Sequence, residues 1–248
     1  MKLLLRWLLW VVLAGLALQL FFLGRIALMA VIDPQSTAFM RSEAWRIAHA
    51  SMTGDAKWRW SVRWKGYDQL GTPIKRAVIA SEDAGFIRHG GVDWRAIEQA
   101  WKRNERRQAQ AEQRAARQPG TATRPVRIMG GSTITQQLAK NLLLSGERHF
   151  LRKGQELVLT LMLEALLDKR RILEIYLNSV EWGEGVFGAE AAAQRYFGKP
   201  AARLSSTEAA RLAVMLPSPK FFEKRRNSAY LARRTATIVA NMRAVAIP

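Results

Sequence analysis

The sequence predicts a mainly α-helical protein with one membrane-spanning helix at its N-terminus. Three observations carry this prediction: an uncharged apolar run over Trp7–Leu23, apolar residues at helical spacing from Pro73 onward, and no convincing series of alternating strands. The 248 residues allow one medium-sized domain plus an appendage, and 49% of them are apolar, which is enough for a core. The chain has no cysteine, which excludes disulfides, thiol catalysis and thiolate metal sites.

The N-terminal run has the length and flanks of an uncleaved membrane anchor. With the preceding leucines and a snorkelling Arg6, it reaches the roughly 20 residues that a bilayer core requires. A cleaved signal peptide is the alternative, but the nearest cleavage sequence, Leu28-Met29-Ala30, has leucine where a small residue is needed. Because Lys2 and Arg6 precede the run, we expect 1–6 in the cytoplasm, 7–32 as anchor and exit, and the anchor to lie outside the core of the external domain.

The charge balance predicts an anionic neighbour. The chain has 39 Lys and Arg against 20 Asp and Glu, a net charge of +19. Such an excess is typical of proteins that meet nucleic acid, an anionic membrane or a phosphorylated substrate, and an anchor favours the membrane. The three histidines, His49, His89 and His149, form no recognised ligand set, so we predict no dedicated metal site.

Residues 33–70 are predicted to be a juxtamembrane connector, and 71–248 a single domain. The connector alternates tryptophan with basic residues, namely Trp45, Trp58, Trp60 and Trp64 with Lys57, Arg59, Arg63 and Lys65. This pattern suits a membrane–water interface, and it also suits single-stranded nucleic acid binding or ordinary core packing.

Helix signals divide the rest of the chain. Predicted N-caps are Asp93, Ser132 and Ser205, the last in a capping box with Glu208. Glu156–Val180 reads as two helices broken near Asp168, and Pro217 and Pro219 stop the helix after Ser205. The basic stretch 102–127 predicts a solvated helix running into a mobile loop, or a flexible flap that touches anionic lipid head groups.

Two segments carry reactive side chains next to helix signals. Glu82 and Asp83 follow an apolar helical run, and Phe86 and His89 come after them. A carboxylate at the end of a buried helix acquires a raised pKa, as a general base requires, although an exposed acidic pair is the simpler alternative. In Gly130–Asn141, the helical spacing puts a hydroxyl, an amide and an ammonium group on one face, those of Thr133, Gln137 and Lys140.

Two further segments have stronger structural alternatives. Arg152 and Lys153 stand one turn before Glu156, where they form either an i,i+4 ion pair or a cradle for an anionic leaving group. Gly183, Gly185 and Gly188 form a GxGxxG pattern, but no strand is predicted before it, so we expect no dinucleotide site.

Five motifs in this order resemble those of the peptidoglycan glycosyltransferases that polymerise lipid II. They are EDxxFxxHxG, GGSTITQQLAKN, RKxxE, ILExYLN and GxxxAAxxYFGK, and they cover about 73–219. The chain is most similar to the monofunctional biosynthetic members from Gram-negative bacteria, because SxxK and KTG are absent and no transpeptidase domain follows. The basic stretch before Gly130 is longer than the family usually has.

The resemblance implies a lysozyme-like domain with a smaller membrane-facing lobe, anchored by a single span in the bacterial inner membrane and facing the periplasm. The implied reaction is inverting: the 4-hydroxyl of a GlcNAc attacks C1 of a MurNAc and expels undecaprenyl diphosphate. No cofactor is required, and a Mg²⁺ or Mn²⁺ ion at the diphosphate is compatible with it. The implied partners are lipid II, the growing glycan strand, membrane lipids and proteins of cell-wall synthesis or division, but no nucleic acid.

The same resemblance implies roles for individual residues. Glu82 matches the general base and Glu156 the second carboxylate. The implied contacts to the donor and its diphosphate are Thr133, Gln137, Lys140, Arg152 and Lys153, and Gln136 and Asn141 are also expected to bind substrate. The residues implied to position Glu82 within the substrate site are Asp83, Phe86 and His89. Glu174, Tyr176 and Asn178 lie on a helix predicted as core, so we expect them to be structural. The rival functions are a lytic muramidase, which needs no cationic cradle, and a membrane-tethered nucleic-acid-binding protein.

Overall fold

The computed structural model describes residues 1–54, 58–117, 130–144 and 150–248, and it is mainly helical, as predicted. The helices are α1 Lys2–Leu28, α2 Ala38–Met52, α3 Thr72–Glu82, α4 Trp94–Arg117, α5 Ile134–Leu143, α6 Phe150–Leu166, α7 Lys169–Ser179, α8 Ala189–Phe197, α9 Ser206–Met215, α10 Pro219–Glu223 and α11 Ala229–Asn241. The strands are β1 Ser61–Val62, β2 Glu181–Gly183 and β3 Val186–Phe187.

Two groups of helices make one core. α3 packs against α9, which packs against α11, while α5 packs against α6 and α7. Their inward faces are apolar, and the largest fully buried side chains include Trp182, Tyr176 and Phe86. Burial of this apolar surface is the main stabilising contribution. The cleft described below opens where α3 ends and α5 begins.

Local signals placed several helix boundaries correctly. Asp93 accepts a hydrogen bond from Ala96 N at 2.9 Å and so caps α4. Asp168 caps α7 and separates it from α6, and Ser205 forms the predicted capping box on α9. These signals are reliable because each depends on hydrogen bonds within one helical turn.

Two predictions about local structure need correction. The N-cap of α5 is Thr133 rather than Ser132, because Gln136 closes a capping box with Thr133. A small sheet in the order β1-β3-β2 exists, although strands of two or three residues are too short to show alternation. Its β2 contains Gly183 of the GxGxxG pattern, and Gly185, with φ +65°, occupies the turn of a β-hairpin. Pro219 opens α10 in addition to following the end of α9.

The basic stretch is helical as far as the structure describes it. α4 extends to Arg117 and buries only Ala100, which confirms a solvated helix. The predicted loop or flap at 118–127 lies outside the described residues.

The anchor helix also packs against the domain, contrary to expectation. α1 has the length and apolarity to cross a membrane, the one such helix in the described part of the chain. Its end nevertheless contributes Phe22 and Ile26 to the core. Gln19 and Gln155 of α6 exchange two hydrogen bonds of 2.9 and 3.1 Å between their amides. Sequence reasoning missed these contacts because they join residues more than a hundred positions apart.

One arginine of α7 binds the segment that follows α1. Arg171 of α7 donates to the carbonyl of Met29 at 2.7 Å and pairs with Asp33 at 2.7 Å. Its remaining nitrogen pairs with Glu174, whose structural role the sequence predicts. Further along the connector, the backbone of Lys65 exchanges two hydrogen bonds of 2.8 Å with the side chain of Asn178 on α7. The connector is therefore held on α7 at both ends.

Candidate active site

Glu82 is the last residue of α3 and lines a cleft of about 840 Å³. The helix begins at Thr72-Pro73, where proline costs no hydrogen bond, and buries Ile74 and Val78 against the core. Because Glu82 follows these residues at helical spacing, the packing of α3 fixes where its carboxylate points.

Neutral hydrogen-bond donors hold the Glu82 carboxylate. Gln137 of α5 donates from Nε2 to Oε2 at 3.0 Å, and the Ser81 hydroxyl lies 3.3 Å from Oε1. Burial raises the pKa of Glu82, and these hydrogen bonds together with the charge of Arg234 oppose that rise without cancelling it. A carboxyl group with a raised pKa is better matched to accept a proton from a sugar hydroxyl.

A buried tyrosine orients the donor to Glu82. The Tyr176 hydroxyl donates to Gln137 Oε1 at 2.9 Å, which leaves the amide nitrogen of Gln137 facing Glu82. Tyr176 is fully buried, and burial raises its pKa, so it remains a donor. The sequence predicts a mainly structural role for Tyr176, and a hydroxyl on an apolar helix face is the signal that could have indicated more.

Asp83 joins three pieces of the site. Its buried carboxylate contacts His89 Nε2 at 2.9 Å and accepts a hydrogen bond from the backbone N–H of Ile134 at 3.1 Å. The first contact closes the loop that follows α3, and the second ties the start of α5 to the end of α3. Asp83 and His89 are thus brought together in a positioning arrangement next to Glu82.

Phe86 is buried inside the loop between Asp83 and His89. It has no exposed surface, and the Lys169 ammonium lies 4.6 Å from its ring centroid. Lys169 also donates to the His89 carbonyl at 2.7 Å and to Glu164 at 2.7 Å. Phe86 therefore supports the loop rather than reaching into the cleft.

The residues of the polar row predicted on α5, Thr133, Gln137 and Lys140, have different surroundings in the structure. Thr133 is buried: its hydroxyl donates to the Gly91 carbonyl at 2.6 Å and accepts from Gln136 N at 3.1 Å. Gln136 is buried as the other half of this capping box. Gly131 allows α4 to approach, since a Cβ there would lie 3.2 Å from the backbone of Ile97. Gln137, the second residue of this row, donates a hydrogen bond directly to Glu82.

Glu156 is a buried carboxylate with cationic partners. Arg152 lies 3.2 Å from its Oε2, and Lys153 contacts its Oε1. The Glu156 side chain is 5% exposed and that of Arg152 17%, whereas Lys153 is 55% exposed and reaches Glu156 from the surface. Lys140 is exposed and Asn141 half-buried on α5, the helix against which α6 packs.

The two predicted carboxylates occupy different parts of the site. The cleft lining includes Glu82, Asp83, His89 and Thr133. Among the described residues, Glu156 and its cations are not part of that lining. α5 connects the two groups, since Gln137 contacts Glu82 and α5 packs on α6.

One group of side chains has metal-ligand chemistry. Donor atoms of Asp83, His89 and Asp93 lie within 4.8 Å of one another. All three are already engaged, because Asp83 and His89 contact each other and Asp93 caps α4. This group therefore fits a hydrogen-bonded frame better than an ion site.

A family model described as Transglycosylase matches residues 50–243, which is most of the chain. The chain belongs to the transglycosylase family. Curated relatives named biosynthetic peptidoglycan transglycosylase agree: the one from Burkholderia thailandensis is 52% identical over 95% of this chain and 84% of its own length. That from Burkholderia pseudomallei is 51% identical over 98% of this chain and 88% of its own length. That from Bordetella avium is 49% identical over 93% of this chain and 92% of its own length.

Proposed function

We propose that this transglycosylase polymerises lipid II into glycan strands for the bacterial cell wall, with Glu82 as the general base. The observation that carries the proposal is a carboxylate in a cleft, held by neutral donors, whose pKa burial raises. Relatives named biosynthetic peptidoglycan transglycosylase, about half identical over most of the chain, support the substrate class.

In the proposed reaction, Glu82 removes the proton from the 4-hydroxyl of a GlcNAc. The oxygen then forms a bond to C1 of a MurNAc, and the bond from C1 to the diphosphate oxygen breaks with inversion. The electron pair leaves on undecaprenyl diphosphate, and the proton remains on Glu82 until solvent removes it. Gln137 and Tyr176 position the base in this proposal, through the hydrogen bonds described above.

The leaving group needs positive charge because the diphosphate gains charge as the bond breaks. We assign this task to Lys140, Arg152 and Lys153, with Glu156 holding the last two in place. No cofactor is required in this proposal. A Mg²⁺ or Mn²⁺ ion at the diphosphate would be compatible with it.

The apolar helix α1 supports a proposal for the location. α1 is consistent with a single-pass membrane anchor, and we propose the inner membrane with the domain in the periplasm. The domain then works beside its lipid-linked substrate and the lipids of the outer leaflet. Proteins of cell-wall synthesis or division are proposed as its partners, and nucleic acid is not.

The test is to incubate purified protein in detergent with labelled lipid II and, separately, with finished glycan. We expect polymer from lipid II, blocked by moenomycin, the inhibitor that the family resemblance implies. Shortening of finished glycan without polymerisation would instead identify a muramidase. Tight, steeply salt-dependent DNA binding with no reaction of lipid II would favour the nucleic-acid alternative.

A further inference from the structure

A row of polar side chains on α4 faces the cleft that holds Glu82. Arg95, Gln99 and Arg103 all line this cleft. Their four-residue spacing puts them on one side of the helix, and at about 1.5 Å per residue the row extends over roughly 12 Å. All three side chains are exposed, so a ligand in the cleft has access to them.

Basic and acidic residues of α4 lie on different sides of the helix. At about 100° per residue, Arg106, Gln110 and Arg117 continue the row beyond the cleft. The acidic residues of the helix, Glu98, Glu105 and Glu112, project from the other side together with Trp94 and Trp101. There, Glu98 pairs with Lys102 at 2.5 Å and Glu105 accepts from the Trp101 indole at 2.7 Å. A helix that was merely solvated would mix its charges.

The cleft-facing cations lack acidic partners. Within the described ranges, neither Arg95 nor Arg103 forms an ion pair, whereas the neighbouring Lys102 does. The acids that line the same cleft, Glu82, Asp83 and Asp93, are each held by other groups. Two guanidinium groups that flank an amide therefore favour an anionic ligand. This row is separate from the cations assigned to the diphosphate, since Lys140 and Arg152 are not in the lining of this cleft.

We propose that the row formed by Arg95, Gln99 and Arg103 binds free carboxylates of the peptide stem carried by the glycan substrate. This inference rests on the proposed function, which places the sugars beside Glu82. The stem peptide is the anionic part of the substrate other than the diphosphate, and it projects from the sugar next to the reacting bond. A guanidinium group matches a carboxylate in bidentate geometry, and a continuing basic stripe suits a strand that repeats this anion.

The test compares neighbouring substitutions that remove the same charge. Arg103→Gln and Arg95→Gln each remove a cation from the row, and Lys102→Gln removes a paired cation beside it. KM and kcat are measured in detergent on lipid II with an intact stem and on lipid II whose stem carboxylates are amidated. We expect Arg103→Gln and Arg95→Gln to raise KM about 3–10-fold on the intact substrate, with kcat nearly unchanged.

The amidated substrate provides the specific readout. The wild-type KM should rise by a similar factor on it, and the row variants should add nothing further. Lys102→Gln should leave KM unchanged on both substrates. Circular dichroism of each variant should match that of the wild type, because all three side chains are exposed.

Three results would overturn the proposal. An equal KM increase on both substrates would mean that the row contacts another group, such as a diphosphate. An unchanged KM of the Arg95 and Arg103 variants on the intact substrate would mean that the row does not bind the stem. If these variants then also sediment less with phosphatidylglycerol vesicles than the wild type does, the row contacts the membrane instead. Wild-type protein that polymerises neither substrate would contradict the proposed function itself, and the inference with it.

Discussion

Glu82 is a partly buried carboxylate and Glu156 a buried one, and their surroundings are opposite in character. Glu82 accepts hydrogen bonds from neutral groups, chiefly Gln137, and burial raises its pKa. Glu156 lies between two cations, Arg152 and Lys153. The difference shows that burial alone does not define the role of a carboxylate. The charge of its partners decides whether it is prepared to take a proton or to hold cations in place.

The largest expected effect is that of Glu82→Gln. The amide keeps the shape and can still accept the hydrogen bond from Gln137, but it cannot take the proton. We expect kcat to fall by about 10²–10⁴-fold with an unchanged melting temperature. Near-normal turnover of lipid II would remove Glu82 from the role of base.

Arg152→Met tests the cationic half of the comparison. A lost charge-assisted contact to the leaving diphosphate should raise the barrier by on the order of 2–4 kcal/mol, seen as a drop in kcat. Lys153→Met is the matched substitution, with a smaller expected effect because that side chain is 55% exposed while Arg152 is 17% exposed. Lys140→Met should also lower kcat, by less than Arg152→Met, because Lys140 is exposed as well.

If kcat is unchanged in the Arg152 and Lys140 variants while melting falls slightly, these cations serve structure only.

Gln19→Leu tests whether the contact between α1 and α6 stabilises the part of the site around Glu156. The substitution leaves the half-buried amide of Gln155, next to Glu156, without the partner that it has on α1. We expect a loss of about 1 kcal/mol of stability, measured by thermal unfolding in detergent, and a reduction in kcat of up to about fivefold. Adding Gln155→Leu should recover much of the stability, because two apolar groups then meet. No stability change in Gln19→Leu would mean that the two helices are not held by this contact.

The smallest effect on catalysis is expected for a substitution of Glu181. Like Glu82, Glu181 has a raised pKa, but it lies on β2, away from the cleft. Burial raises the pKa of Glu181 to about 7, with Lys220 3.6 Å away opposing the rise. Glu181→Gln should leave kcat within about twofold, since a raised pKa without substrate contact does no chemistry.

The pH dependence of stability has a definite sign at Glu181. The folded state binds the proton more tightly than the unfolded chain, so the wild type loses stability as pH rises from the ordinary glutamate pKa to about 7. Thermal unfolding from pH 4 to 8 should show this loss in the wild type and a smaller one in Glu181→Gln. Identical pH curves would contradict the assignment of the raised pKa.

What the sequence predicted correctly depends on short-range chemistry. The caps at Asp93 and Ser205 and the helix break at Asp168 follow from hydrogen bonds within one turn. The hydrogen bond from Gln137 to Glu82 was not predicted, because the resemblance implies a substrate contact for Gln137. What it missed depends on distant contacts. Tyr176 reaches Glu82 only through Gln137, and Gln19 meets Gln155 only because α1 packs on α6. Neither contact leaves a periodic signal in the chain.

The most direct test of the account is the pH dependence of lipid II polymerisation, measured as kcat/KM from pH 4 to 9. Because Glu82 must be deprotonated to act and burial raises its pKa, activity should fall on the acidic side with a midpoint above the ordinary glutamate value. That limb should persist in Arg152→Met and vanish from the residual activity of Glu82→Gln. An acidic midpoint at or below the ordinary value, or a limb that survives in Glu82→Gln, would contradict the claim that Glu82 is the buried base.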